Sequence, residues 1–266
     1  MKFALTNHIK TEATKGATGI CPGCGADLIA KCGEAKVHHW AHKGARNCDE
    51  WWENETAWHR TWKNHFPVEW QESVAINEIN GEKHIADVRT AHGLVIEFQH
   101  SFLKPEERRQ RESFYKKMIW IVDGSRLKND YPRFRKAVSN FRKTDKQGHF
   151  LVHFPEEYLP SNWLDSTVPV IFDFRGDEIP EEPKDLRHHL YYLYPKKNGT
   201  LSLLAIISRN SLINDIISGE LFKATPAPTP EVVQRSVSRY ITTNNTVKRS
   251  SGFLYDRGKF IKRHRF

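Results

Sequence analysis

The feature that most restricts the fold is the segment ADVRTAHGLVIEFQHS, residues 86–101, in which two strand-forming runs flank a short turn. If the runs pair as a hairpin, Asp87 lies opposite Glu97. Like charges that face each other across two strands destabilise a sheet. We therefore expect a bound species that offsets their repulsion.

A divalent cation is the simplest such species. Side chains alternate between the two faces of a strand, so Glu97 and Gln99 share a face, and Asp87 joins them if the hairpin pairing holds. Mg²⁺ commonly takes one or two protein carboxylates together with phosphate and water. The pair therefore predicts a Mg²⁺ or Mn²⁺ site at Asp87 and Glu97, and chemistry on a phosphate.

The preceding segment, WWENETAWHRTWKNHF at residues 51–66, predicts one amphipathic helix because its apolar residues recur at steps of three or four. Glu55, His59 and Lys63 recur at steps of four on one face. Glu55 can add a carboxylate to the metal shell, and His59, whose unperturbed pKa is nearest to neutrality, can carry a proton or contact phosphate. The alternative is a solvated polar face with one Glu–Lys pair.

A second helix is predicted by KPEERRQRESFYKK, residues 104–117, because Pro105 and two acids open it. Arg111 and Tyr115 lie one turn apart on it. Arg111 is suited to grip a phosphate or to hold a carboxylate. From residue 104 to 146 there are fourteen Lys or Arg against six Asp or Glu. We therefore predict Arg111 and Tyr115 as nucleic-acid contacts on a basic wall beside an acidic pocket.

All four cysteines lie between residues 21 and 48, which disfavours a disulfide framework and favours a metal site. Cys21 and Cys24 form one CxxC pair, and His39 and His42 form an HxxH pair. Four such ligands would close a tetrahedral structural zinc site. His38 and Cys48 remain competitors for a place among the ligands.

The formal net charge of +9 is concentrated at the ends. Residues 1–48 carry seven Lys or Arg against three acids, and residues 231–266 carry nine against two. Basic ends suit DNA, whose phosphates release counterions on binding, although solvated tails are the alternative. The sequence lacks a signal-peptide pattern and any run of 18 apolar residues, so we expect a cytoplasmic protein that does not enter a membrane.

Helical segments and apolar runs alternate from residue 51 to about 221, which predicts an α/β fold with a sheet covered by helices. We expect a zinc module over 1–48, a core over 49–155 and an α/β extension over 156–224. A Pro-rich linker and a basic tail, disordered until a partner binds, follow over 225–266, with one further helix over 231–240.

The motifs CPGC, HHWAH, ETAWH, ADV, IEFQHS and ERRQRESFY occur in this order over residues 21–124 and resemble the competence protein CoiA family, a branch of the PD-(D/E)XK nuclease-like superfamily. The resemblance implies an N-terminal zinc element and a restriction-endonuclease-like core, a mixed sheet flanked by helices, with a metal-dependent phosphodiesterase site. Asp87 and Glu97 match the acidic pair and Glu55 matches the helix carboxylate. Gln99 stands where the wider superfamily usually has Lys.

We therefore expect a Mg²⁺- or Mn²⁺-dependent deoxyribonuclease in which Gln99 aligns the attacking water and Lys63 or Arg111 supplies the missing positive charge. Two alternatives stay open. One is a DNA-binding accessory factor in competence and recombination, which the neutral Gln99 favours. The other is a nuclease effector of host defence that acts with a protein partner; a homo-oligomer is also compatible with the sequence.

Overall fold

The computed structural model describes residues 1–44, 48–51, 53, 55–198, 201–222, 253–256 and 259–262. The chain divides into two compact units, Met1–Lys223 and Ala224–Phe266.

The first unit begins with a small antiparallel sheet, which sequence patterning had indicated only as a non-helical metal module. Its strands are β1 (Phe3–Thr6), β2 (Ile9–Glu12), β3 (Thr18–Ile20), β4 (Asp27–Lys31) and β5 (His39–His42), in the order β2-β1-β3-β4-β5. Its apolar residues include Leu28 and Trp40, which are fully buried together with Cys21. The cysteine segment is therefore part of a packed core.

Helix α1 spans Ala57–Lys63 and is much shorter than the predicted helix over 51–66. Thr56 is the N-cap: its hydroxyl accepts a hydrogen bond from the His59 backbone N–H, and the His59 ring accepts one from the Thr56 N–H. This reciprocal cap fixes the start of the helix. Trp51 lies outside the helix, its ring stacked on His84 with ring centroids 3.2 Å apart.

Two tryptophans hold α1 against the large sheet. The indole N–H groups of Trp58 and Trp62 each donate to the same oxygen of Asp173, at 3.0 Å. Arg209 pairs with the other oxygen at 2.8 Å. The buried carboxylate therefore has a full set of partners, which is the condition for burying a charge.

The large sheet has nine strands in the order β10-β11-β14-β13-β12-β9-β8-β7-β6. Strand β8 is parallel to β9, and β9 is parallel to β12, whereas the other neighbours are antiparallel. The strands are β6 (Gln71–Ile76), β7 (Lys83–Arg89), β8 (Val95–Gln99), β9 (Met118–Asp123), β10 (Arg142–Lys143), β11 (His149–His153), β12 (Val170–Asp173), β13 (His189–Asn198) and β14 (Leu201–Ser208). The mixed α/β architecture is therefore confirmed, and one sheet runs through both the predicted core and the predicted extension.

Helices cover both faces of this sheet. They are α2 (Pro105–Tyr115), α3 (Asp130–Ala137) and α4 (Arg209–Ser218), in addition to α1. On one face Phe134 of α3 packs with Trp120 and Phe172 of the sheet. On the other, Trp62 and Ile216 join Phe98 in a second apolar cluster that includes α1 and α4. Each strand of the sheet centre is consequently buried from both sides, as the uninterrupted apolar run at residues 118–122 predicts.

The second unit is described only in part. Strands β15 (Phe253–Asp256) and β16 (Lys259–Lys262) pair as an antiparallel hairpin, where the sequence had predicted a tail without structure of its own. The predicted linker over 225–230 and helix over 231–240 lie outside the described residues. Across the described chain, none of the helices combines the length and the apolarity needed to cross a membrane.

Candidate functional site

The first cluster consists of Cys21, Cys24, His42 and Cys48, whose ligand atoms all lie within 4.8 Å of one another. Cys21 and Cys24 occupy the turn between β3 and β4. That turn is closed by hydrogen bonds from the Cys21 N–H to Ala26 and from the Gly25 N–H to Cys21. The Cys21 and Cys48 sulfurs are 3.5 Å apart, and Cys24 Sγ is 3.3 Å from His42 Nε2.

The choice of His39 as fourth ligand is wrong, because Cys48 takes that place. The HxxH pair lies on strand β5, where side chains alternate, so residues three apart point to opposite faces. His42 therefore reaches the cysteines on one face, while His39 lies on the other and its Nδ1 is 2.9 Å from the Val37 carbonyl oxygen.

The cluster has the composition and spacing of a zinc site. Sulfur and nitrogen ligands about 2.0–2.3 Å from a tetrahedral zinc lie roughly 3.3–3.8 Å apart, close to the separations above. Burial raises the pKa of the Cys21 and Cys48 thiols, so ionising several of them together requires a cation. The Cys₃His group can hold a metal ion such as zinc.

The second site lies where β7 and β8 separate. Val88 pairs with Ile96 and Arg89 with Val95, so the register sets Asp87 opposite Glu97, as the hairpin predicts. Beyond these two pairs, backbone N–H groups of the two strands donate to side-chain carboxylates instead of to backbone carbonyls. The Asp87 N–H donates to Glu97 Oε1 at 3.3 Å, and the Phe98 N–H donates to Asp87 Oδ2 at 3.0 Å. Both carboxylates are thus fixed at the opening between the strands.

A third carboxylate, which the sequence reasoning missed, extends this row. Gln71 pairs with Val88 and Ser73 with Ala86, so Glu72 of β6 lies opposite Asp87. Its two oxygens accept the N–H groups of Lys2 at 2.6 Å and Phe3 at 2.9 Å. Glu72 thus also holds the N-terminal sheet against the site. Only the register of β6, which the sequence does not fix, would have revealed it.

Lys63 and Arg111 partly neutralise the acids. The Lys63 ammonium is 3.0 Å from Asp87, 3.3 Å from Glu55 and 3.2 Å from Glu72. Glu55 therefore reaches the site although it precedes the helix N-cap. Arg111 holds Glu97 at 3.1 Å, which is the carboxylate-holding role rather than the phosphate-gripping one.

The charge of Glu97 is nevertheless poorly compensated. Burial, followed by repulsion from Asp87, raises the pKa of Glu97 to about 8, despite the opposing effect of Arg111. A carboxylate in this state favours any added positive charge nearby.

The pocket around these groups encloses about 70 Å³, which is room for a small cation and a few waters. Its walls carry six carboxylates but only two Lys or Arg side chains: Asp49, Glu53, Glu55, Glu72, Asp87 and Glu97, with Lys63 and Arg111. Among the described residues, three or more metal-ligand atoms lie within 4.8 Å of one another in the cysteine cluster, but not in this acidic pocket. A cation here would therefore be held by the Asp87–Glu97 pair and complete its shell with water or phosphate, as Mg²⁺ commonly does.

The remaining predicted residues take supporting positions. His59 lines the pocket, but its Nε2 donates to the Phe98 carbonyl at 3.0 Å and its Nδ1 accepts the Thr56 N–H, so neither nitrogen is left for proton transfer. Gln99 is buried and its amide N–H donates to Glu53 at 2.6 Å. Tyr115 packs edge-on against Trp51 rather than on a nucleic-acid surface.

Four described residues, Cys48, Asp49, Trp51 and Glu53, link the two sites. Cys48 belongs to the cysteine cluster and also lines the acidic pocket. Next to it, Asp49 accepts the Ile85 N–H of β7 at 2.8 Å. The Trp51 carbonyl accepts a hydrogen bond from Arg111 at 2.6 Å, and Glu53 accepts the Ser101 N–H at 2.5 Å. The pocket wall formed by Asp49, Trp51 and Glu53 therefore follows directly in the chain from Cys48, a residue of the Cys₃His group.

Comparison with known proteins gives two matches. Residues 5–50 match the family model described as the N-terminal domain of competence protein CoiA. A curated relative, "Competence protein CoiA" of Bacillus subtilis (strain 168), is 29% identical over 143 residues, which is 50% of this chain and 38% of the relative. The chain thus spans well under half of that relative's length. No solved structure is significantly similar. The predicted resemblance to the CoiA family is confirmed.

Proposed function

The chain is CoiA-like, and from that premise we propose that it is a Mg²⁺- or Mn²⁺-dependent nuclease that hydrolyses phosphodiester bonds in DNA. The observation that carries the proposal is the surplus of carboxylates over cations in the pocket at the opening between β7 and β8. Three acids in one cross-strand row repel one another, and a bound cation would offset the repulsion that Lys63 and Arg111 leave. A mixed sheet with acids at such an opening also supports a restriction-endonuclease-like core.

Each side chain of the pocket would have its own role in the reaction. Asp87 and Glu97 would hold the cation, Lys63 forms ion pairs with Asp87 and Glu55, and Arg111 orients Glu97. The bound ion supplies a Lewis acid that lowers the pKa of water and neutralises charge as it develops on the phosphate. Gln99, fixed by Glu53, aligns the attacking water.

Exposed basic residues are frequent along the chain after β9 and support DNA as the substrate. They are Arg126, Lys128, Arg133, Arg135, Lys136 and Lys143. Lys and Arg side chains bind DNA phosphates without regard to base sequence, and this binding weakens as the salt concentration rises.

A cleavage assay tests the proposal. Zinc-loaded protein is incubated with labelled single- and double-stranded DNA, with Mn²⁺ or in buffer free of Mn²⁺ and Mg²⁺. We expect cutting only with the added ion, and none by Asp87→Asn or Glu97→Gln. Glu106→Gln, which changes an exposed acid of α2, serves as the matched control and should cut normally. Equal cutting by the parent and the two pocket variants would refute the assignment.

One observation favours a second candidate, a DNA-binding accessory factor in competence and recombination. Gln99 is neutral, and its amide N–H groups are engaged by Glu53 and Ser101. It can position a water molecule but supplies no positive charge. Binding of DNA without metal-dependent cutting would support this candidate, which agrees with the competence name of the relative. Co-purification of a second protein with cutting activity would instead point to an effector that acts with a partner.

A further inference from the structure

His100 and Asp123 form a hydrogen-bonded pair at the carboxyl ends of two neighbouring parallel strands. His100 directly follows β8, and Asp123 is the last residue of β9. The His100 Nδ1 is 2.7 Å from Asp123 Oδ2. Because an ionised carboxylate only accepts hydrogen bonds, the hydrogen lies on Nδ1, and Nε2 is the nitrogen that gains and loses a proton.

The aspartate of this pair is rigidly held. Its second oxygen accepts the Ser125 N–H at 2.8 Å and the Ser125 hydroxyl at 2.5 Å. The Asp123 side chain is 4% exposed, whereas the His100 side chain is 36% exposed. A buried carboxylate therefore orients an imidazole that remains open to solvent, and such an orienting partner is what a general acid or base requires.

Groups from several elements face His100. The His59 ring of α1 lies 6.1 Å from it, centroid to centroid, and Trp58 lies 6.5 Å away. The charges that act on it are Asp123, Glu53 from the pocket wall, and Arg126 after β9. Glu53, which lines the acidic pocket, accepts hydrogen bonds from Gln99 and Ser101, the two chain neighbours of His100.

His100 differs from His59 in what its ring can still do. Both nitrogens of His59 are bonded to backbone groups. In the described part of the chain, Nε2 of His100 has no hydrogen-bond partner. His100, rather than His59, is therefore the histidine that is placed to transfer a proton.

We propose that His100 is the general acid of the cleavage reaction, with Asp123 as its positioning residue; this inference rests on the proposed nuclease function. Water adds to phosphorus and releases a proton to the solvent, as the bond from phosphorus to the leaving oxygen breaks. The Nε2 proton passes to that oxygen, which leaves as an alcohol, and the neutral imidazole regains a proton from solvent. The products are one phosphomonoester and one free hydroxyl group.

The electrostatics agree with this geometry. The hydrogen bond that His100 donates to Asp123 raises the pKa of His100 and outweighs the lowering effect of burial. A raised pKa keeps a larger fraction of the imidazole in the proton-donating form near neutral pH.

The test compares two substrates whose leaving groups differ in whether they must be protonated to leave. His100→Gln should slow Mn²⁺-dependent cleavage of DNA by about 10²- to 10⁴-fold, the usual contribution of a general acid. The same variant should cut bis(4-nitrophenyl) phosphate within about 3-fold of the parent, because nitrophenolate leaves without protonation. The parent's cleavage rate on DNA should fall on the alkaline side of its pH profile, and this fall should vanish in the variant.

A second readout does not depend on activity. The titration of the His100 ring, followed by NMR, should move to lower pH in Asp123→Asn, because the amide no longer favours the imidazolium. His189→Gln, which alters an exposed histidine at the start of β13, should leave the DNA cleavage rate, its pH profile and the His100 titration unchanged.

The outcomes separate this inference from the proposed function. If the parent cuts DNA and His100→Gln slows both substrates equally, or neither, the general-acid role is overturned while the nuclease stands. An unchanged His100 titration in Asp123→Asn also overturns it. If the parent cuts neither substrate with Mn²⁺, the nuclease assignment fails and the role of His100 fails with it.

Discussion

Neutralising Glu97 should stabilise the protein when no divalent ion is bound in the acidic pocket. Glu97 is buried beside Asp87, and its pKa is raised from 4.5 to about 8. A folded pKa above the unfolded one means that the group's contribution to stability is complete below about pH 4.5 and is lost as the pH rises towards 8. Glutamine does not titrate, so Glu97→Gln removes this loss of stability at higher pH.

The magnitude follows from the two pKa values. At pH 7 an unfolded carboxyl is ionised, whereas the folded one remains mostly protonated. This difference makes the free energy of unfolding about 3 kcal/mol lower at pH 7 than below pH 4.5. The glutamine carbonyl can still accept the Arg111 hydrogen bond, but without the charge, so part of this gain is offset. We expect Glu97→Gln to raise the free energy of unfolding by about 1 to 3 kcal/mol at pH 7.

Urea denaturation of zinc-loaded protein, in buffer free of Mg²⁺ and Mn²⁺, measures this effect between pH 4.5 and 8. The variant should show a flatter dependence on pH than the parent, and Mn²⁺ should stabilise the parent but not the variant. Glu106→Gln is the control, because its side chain is 71% exposed and its loss should change stability by less than about 0.5 kcal/mol. A variant less stable than the parent at pH 7, with an unchanged pH slope, would refute this reasoning.

Three further predictions concern single residues. Cys48→Ser should reduce bound zinc measured by atomic emission well below one per chain, whereas His39→Gln should leave it near one; the reverse result would contradict the Cys₃His site. Lys63→Met should lower the free energy of unfolding by about 3 to 5 kcal/mol, because it leaves buried carboxylates without their cation, and an unchanged urea midpoint would contradict this. His100 has a pKa raised by the bond to Asp123, so its stabilising contribution is full below about pH 6.5 and is lost above its folded pKa. His100→Gln should therefore lower stability at pH 6 more than at pH 9, and an equal loss at both pH values would count against the ion pair.

The sequence was sufficient for the hairpin because strand alternation and a short turn are local signals. Asp87 and Glu97 could therefore be paired without a structure. Glu72 could not, since its place opposite Asp87 depends on the register of β6. His100 was also missed, because its partner Asp123 reaches it through a parallel strand pairing rather than a local pattern.

Two local interpretations failed for definite reasons. The HxxH spacing suggested two ligands, but on a strand it sends His39 and His42 to opposite faces. The tryptophan spacing suggested a helix from residue 51, but the reciprocal cap of Thr56 with His59 starts it later. A histidine is not the usual partner in a capping box, so this helix start could not be recognised from the common capping-box pattern.

A Mn²⁺ titration of zinc-loaded protein by calorimetry tests, without any substrate, whether Asp87 and Glu97 share one divalent cation. We expect one bound Mn²⁺ per chain in the parent and none in the double variant Asp87→Asn with Glu97→Gln. Equal Mn²⁺ affinity in the parent and the double variant would contradict the shared cation site.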